Sequence, residues 1–322
     1  MFQYAVLPAS YHCGLTDLWY FVPMLYYSFN TYLRQRFGQR VQKLPLEAGF
    51  TCPNRDGTRG TGGCIYCDAK GSGFGAHNQY PDITAQASEV MKRLSKRYKA
   101  HKFIAYFQAF CNTYAPCDTL KAMYDQVVSL PGIVGLSVAT RPDCLSPEVL
   151  ALLAGYADRL NVWLELGLQT VHDATLARIN RGHTYEDFLQ GYALARSYPL
   201  NICLHMIIGL PGETRKEVLA TAREVARLQP EGLKIHSLYI HRGTALKKLY
   251  YSGGFEPLSQ SDFVQQACNV LEIIPAGTVI QRLTGDPDPR ELIAPQWALQ
   301  KHETLAMIET ELVTRGSRQG KC

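Results

Sequence analysis

The sequence predicts an α/β fold on a parallel sheet: a partial (β/α)6 barrel of TIM type with a C-terminal helical extension. Three observations predict it. Short apolar runs rich in β-branched and aromatic residues recur along the chain, several nearly unbroken, as in strands covered on both faces. Longer stretches of helical periodicity with capping residues separate them. Successive runs begin at residues 103, 133, 160, 200 and 233, a spacing of 27 to 40 residues that matches one strand–helix unit.

In chain order, the strand candidates are Leu44–Phe50, Phe103–Phe110, Ile133–Ala139, Leu160–Leu166, Leu200–Ile208, Leu233–Ile240 and the more weakly patterned Thr278–Leu283. Helical periodicity covers Thr84–Ala100, Asp118–Leu130, Pro147–Tyr156, Tyr185–Ser197 and Glu213–Leu228. Ser146 precedes Pro147, an N-cap followed by proline at the first helical position. Thr214 and Glu217 have the spacing of a capping box. No linker rich in Pro, Gly or Ser splits the chain, and the turn-rich Tyr251–Pro257 is the best boundary. Beyond it come a helix over Ser261–Ile274, the weak strand, a Pro-rich loop and a helix over Gln296–Val313. The basic tail Arg315–Cys322 is expected to fray. The expected division is an N-terminal extension (1–31), a core barrel (32–257) and a C-terminal extension (258–322).

With 322 residues, 46% hydrophobic and 19% charged, the chain is neither disordered nor fibrous. A net charge of +5 is compatible with a nucleic-acid partner but does not require one. No secretory signal or membrane span is read in the sequence. Seven of the ten cysteines are scattered singly, which suits reduced thiols in the cytoplasm better than a disulfide framework.

The other three, Cys52, Cys64 and Cys67, are spaced C-x11-C-x2-C just past the first strand candidate. Parallel α/β folds place their chemistry at such strand ends. The eleven residues between Cys52 and Cys64 include four glycines and no large apolar side chain. Such a loop cannot bury itself against a core, but it can wrap a compact inorganic group. Three readings follow: thiols that bind nothing, a structural zinc that borrows a fourth ligand such as Cys13 or His77, or a 4Fe–4S cluster on three thiolates. The last leaves one iron open to a substrate or cofactor.

The stretch R-F-G-Q-R-V-Q-K-L-P-L-E-A-G-F-T-C-P-N-R-D-G-T, residues 36–58, contains the first of these cysteines. On it, and from about Tyr32 to Lys301, the chain resembles the YhcC-like family of radical S-adenosylmethionine (SAM) enzymes. That family is related to the radical SAM half of the Elongator catalytic subunit and to oxygen-independent coproporphyrinogen oxidase. The resemblance implies a 4Fe–4S cluster on Cys52, Cys64 and Cys67 whose open iron chelates SAM. One electron from the reduced cluster then releases a 5′-deoxyadenosyl radical that abstracts hydrogen from the substrate. It also implies a low-potential electron donor of flavodoxin or ferredoxin type.

Residue by residue, the resemblance sets Tyr66, just before the last cysteine, against the adenine. The second strand ends without the family's Gly-Gly-Glu-like motif, leaving Gln108 and Asn112 as polar candidates. Arg141 and Asp143 follow the third strand and could pair structurally. Gln169 and Arg181, twelve apart, match a Gln and an Arg that contact the ribose and carboxylate of SAM, and Glu165 could also reach the ribose. Arginine suits a carboxylate because its fork donates two parallel hydrogen bonds. His205 reads equally as a core residue or a site residue. His236 and Tyr239 should face opposite sides of one strand, so that at most one lines the barrel. No residue that acts on the substrate is assigned.

The Elongator relatives point to tRNA as the substrate. Lys92, Arg93, Lys96, Arg97, Lys99 and Lys102 form a basic ridge, with Arg34, Arg36, Arg40 and Lys43 before the first strand. The ridge reads equally as a solvated helix face. A small-molecule substrate, or a non-catalytic Fe–S or zinc protein, is the alternative.

Overall fold

The computed structural model describes residues 24–71, 73, 80 and 82–322. Seven parallel strands form one curled, open barrel in chain order: β1 (Val41–Leu46), β2 (Lys102–Phe107), β3 (Ile133–Thr140), β4 (Asn161–Gln169), β5 (Asn201–Ile208), β6 (Gly232–Ser237) and β8 (Val279–Arg282). A short antiparallel pair, β7 (Ile240–His241) with β9 (Leu292–Ala294), lies beside it. All seven expected strands exist. The weakest of them, near residue 280, joins the sheet beside β6 and extends it past six strands.

Each strand's sequence suits its place. β4 is buried along its whole length, so its apolar run shows no alternation. Helices α1 (Phe29–Phe37), α2 (Ile83–Tyr98), α3 (Cys117–Val128), α4 (Pro147–Ala157), α5 (Asp173–Arg178), α6 (Tyr185–Arg196) and α7 (Arg215–Leu228) accompany the strands, with α8 (Leu246–Tyr251), α9 (Gln260–Ile273) and α10 (Lys301–Thr314) following. Both expected caps form: Ser146 accepts from the Val149 amide, and Thr214 with Glu217 makes a reciprocal capping box. Sequence reading missed α1, and also α5 and α8, which at six residues each are too short for a periodic signal.

The N-terminal edge of the barrel is plugged by aromatic rings. Phe29 and Tyr32 of α1 pack edge-on against Trp163 of β4, at 5.7 and 5.5 Å between centroids. Asn161 Nδ2 donates to the Tyr32 hydroxyl at 2.7 Å. Residues 24–31, expected in an extension, thus include part of the barrel floor. The C-terminal tail does not fray. The amides of Gln319, Gly320 and Cys322 donate to the carbonyls of Leu25, Leu271 and Glu272, and Ser317 and Gln319 are buried. Backbone hydrogen bonding overrides its basic, Gly-containing composition.

Candidate functional site

The cysteine loop leaves the C-terminal end of β1 and folds on its own backbone. The amides of Arg55, Gly63 and Cys67 donate to the carbonyls of Cys52, Asn54 and Cys64 at 2.8, 2.8 and 2.9 Å. A second loop, between α5 and α6, staples it. Asn54 Nδ2 donates to the Asn180 carbonyl at 2.6 Å, and Asn180 Nδ2 donates to the carbonyls of Thr61 and Gly63. Gly60 and Gly182 make room for this join, since a Cβ at either would lie 2.4 Å from Asn54 Oδ1. The sequence reading passed over Asn54 and Asn180. The one local signal was an asparagine before Arg-Gly, and Asn180 does adopt a left-handed φ of 52°.

Burial by itself would raise the Cys64 thiol, but Arg181 and Arg141 outweigh it and hold the group below its usual range. Arg181 Nη1 lies 3.6 Å from Cys64 Sγ. Burial leaves Cys52 raised. Among the described residues no three His, Cys, Asp or Glu side chains are arranged to hold a single metal ion. A zinc ion would draw its thiolates to about 4 Å from one another; a cluster, with its irons between them, holds them farther apart. Cys13 and His77, the ligands a zinc site could have borrowed, lie outside the described residues. Cys111 and Cys117 face different partners: the Cys111 sulfur lies 3.0 Å from Thr140 Oγ1, whereas Cys117 faces the Glu148 carbonyl.

The three cysteines open on a cavity of about 230 Å³ at the C-terminal ends of the strands. Tyr66, Gln108, Gln169 and Arg181 line it with them. The Tyr66 hydroxyl is pushed well above its usual range, by burial first and then by the Cys64 sulfur. Gly167 creates space for two of these side chains: a Cβ there would lie 2.5 Å from Arg181 Nη2 and 2.7 Å from Gln169 Nε2. A register shift after Gly167 and a φ of +72° at Gln169 turn the Gln169 side chain into the cavity. Besides its Cys64 contact, Arg181 donates to the Gly167 carbonyl at 2.8 Å and to His183 Nε2 at 3.0 Å. Burial, then Arg181, holds His183 near a pKa of about 3, so it accepts that bond as a neutral ring.

Two expected ligand contacts lie off the cavity wall. The Asn112 amide is turned inward and donates to the carbonyls of Phe107 and Ala139. Glu165 lies fully buried below the cavity in a network of charged and polar groups. Lys43 donates to Oε1 at 2.6 Å, His205 Nε2 lies 2.9 Å from Oε2, and Lys234 and Ser137 also bond it. A buried carboxylate needs such partners. Burial opposes its ionisation, but the two lysines and His205 keep its pKa well below the usual range. Arg141 and Asp143 form the expected pair, bonded at 2.9 and 2.8 Å. His236 and Tyr239 both line the cavity, against the expectation from strand alternation. β6 stops at Ser237, so the alternation does not reach Tyr239.

On the opposite edge, α1 and α2 end just before the N-termini of β1 and β2. There Lys92, Arg93, Lys96, Arg97, Lys99, Arg34, Arg36 and Arg40 are exposed, and Arg40 and Arg97 stack on Tyr98 at 4.9 and 5.0 Å. Among the described residues no helix is long and apolar enough to cross a membrane.

A family model described as Radical SAM superfamily matches residues 54–225, and one described as Radical_SAM C-terminal domain matches 230–314. YtqA of Bacillus subtilis (strain 168) is 45% identical over 296 residues, covering 92% of each chain. YhcC of Escherichia coli (strain K12) is 38% identical over 289 residues, covering 89% of this chain and 92% of that one. Elongator complex protein 3 of Homo sapiens is 30% identical over 162 residues, 49% of this chain and 29% of that one. Among solved structures, the archaeal Methanocaldococcus infernus Elp3 superposes with a TM-score of 0.67 at 17% identity, covering 87% of this chain and 64% of that chain. That likeness is one of fold.

Proposed function

The chain belongs to the radical SAM superfamily, as an enzyme that uses a 4Fe–4S cluster and SAM, and from that premise we propose that Cys52, Cys64 and Cys67 supply the cluster's three thiolates. The observation that supports this is three cysteines opening on one cavity, with Arg181 and Arg141 beside Cys64 to offset the thiolate charge. When bound, the cluster supplies the electron that cleaves SAM to 5′-deoxyadenosyl. The chain's own residues hold and orient. Tyr66 packs along the adenine, Gln169 and Gln108 offer amides to the ribose and methionyl groups, and Arg181 bridges Cys64 to the carboxylate. Glu165 and Asn112 support these walls from behind. The scattered single cysteines suit the cytoplasm, where a flavodoxin- or ferredoxin-type donor can reduce the cluster.

SAM binding to anaerobically reconstituted protein, read by equilibrium dialysis beside iron and sulfide content, tests the reading. Arg181→Ala should weaken SAM binding roughly 10- to 150-fold, the worth of a charge-assisted hydrogen bond. Unchanged affinity would leave Arg181 serving Cys64 alone.

For the substrate we propose tRNA, gripped by the ridge at the N-terminal edge. Its support is the exposed basic side chains there, none with an ion pair among the described residues, two of them stacked on the Tyr98 ring. The strands between ridge and cavity span about 20 Å, so the RNA must reach round the barrel rim. Binding through six or more phosphates should fall roughly 10³-fold or more between 50 and 200 mM salt, and Lys92→Glu/Lys96→Glu/Lys99→Glu should flatten that slope. No tRNA binding at low salt would favour a small molecule.

A further inference from the structure

The cavity wall carries a guanidinium with no counter-ion within ion-pair distance among the described residues. Arg282 of β8 lines it beside His236, His205 and Tyr106. Among the described residues its guanidinium makes no hydrogen bond or ion pair. The nearby carboxylates have partners of their own: Asp286 pairs with Lys301 at 2.8 Å and Asp288 with Arg290 at 2.7 Å. Behind this wall, Glu165 faces both Lys43 and Lys234. Lys43, Lys234 and Arg282 thus stand round one buried carboxylate, while Glu291 and Asp68 on the cavity wall face Lys70 and His241, each at 3.8 Å.

The histidines do not add to the excess. Burial, then the surrounding cations, pushes His205 down to about 4 and His236 well below its usual range, so both are neutral near pH 7. His236 makes no hydrogen bond among the described residues, and its ring lies 5.5 Å from that of His205. An apolar residue at 282 would have sealed the wall at no electrostatic cost. Arg282 is half-buried, so water solvates its guanidinium only in part and an anion would complete it.

We infer that Arg282, with His236 beside it, forms a subsite for an anionic group of the substrate, a carboxylate or a phosphate. This rests on the reading of the cavity as the place where substrate meets SAM. The planar fork of Arg282 suits either oxyanion bidentately, and a neutral imidazole can add one donor. Arg282 is on β8, at the other edge of the sheet from β1, whose following loop carries the cysteines, so an anion held there would anchor one end of the substrate and leave the other free to meet SAM.

The test is calorimetric titration of the reconstituted holoenzyme, at low ionic strength, with inorganic phosphate, with succinate and with neutral uridine. Saturable binding of phosphate or succinate but not uridine is expected. It should weaken at least about tenfold in Arg282→Ala and Arg282→Gln, recover in part in Arg282→Lys, and stay unchanged in Arg223→Glu on the exposed face of α7. Binding of phosphate alone would identify a nucleotide or phosphate-ester group, and succinate alone a carboxylic acid. No saturable anion binding, or equal binding in both neutral Arg282 variants, overturns the subsite. Iron content and SAM affinity are measured on the same samples. Their absence in the parent protein would sink the SAM reading, whereas their retention in Arg282→Ala with anion binding lost supports the subsite.

Discussion

Cys52→Ala, Cys64→Ala and Cys67→Ala should each strip the protein of nearly all its iron and sulfide, with the brown absorbance lost, because two thiolates cannot hold a four-iron cluster. Cys111→Ala and Cys117→Ala should keep the full complement, since neither side chain lines the cavity. The effect is all-or-none in iron per chain, and elemental analysis with a visible spectrum reads it directly. A cluster that survives the triple substitution would remove the assignment.

Glu165→Ala should destabilise the fold by about 3–5 kcal/mol, the cost of breaking a buried ion pair by removing one partner. Lys43 and Lys234 would be left against a neutral wall, each within 4.6 Å of the Tyr106 ring centroid but with no carboxylate. Glu165→Gln should recover only part of this, by keeping a hydrogen bond to His205 without the charge. Denaturant unfolding is the measurement. In a double-mutant cycle, Lys234→Met should cost less in the Glu165→Gln background than in the parent. Additive costs would show that the pair contributes no coupling.

The pH dependence follows from the same carboxylate. Its folded pKa lies well below the unfolded value near 4.3, so its contribution is complete above that value and is lost as pH falls toward the folded pKa. The parent protein should therefore lose stability with acid more steeply than Glu165→Gln over that range. Parallel acid curves for the two would count against a charged Glu165.

Much of the fold was legible because its signals are local. Period and spacing announced the strands, and Ser146 and Thr214 announced helix starts that hydrogen bonding in the structure satisfies. Arg141 and Asp143, two residues apart, were readable as a pair for the same reason. The tail at 317–322 was misread because the partners of its amides lie near residues 25 and 271, out of reach of any local pattern.

By itself, the sequence determined the parallel α/β architecture and the three-cysteine loop, since strand spacing and a glycine-rich run between thiols are properties of contiguous residues. Only the tertiary structure decided which polar side chains meet at the site. Glu165 and Gln169 sit on one strand and read alike in sequence. One is sunk among lysines 122 and 69 residues away, whereas a register shift turns the other into the cavity. Arg282 is drawn beside Lys234 only because β8 pairs with β6. Depth along a barrel depends on strand register and on the charges that register brings together, and both are set by contacts between distant segments.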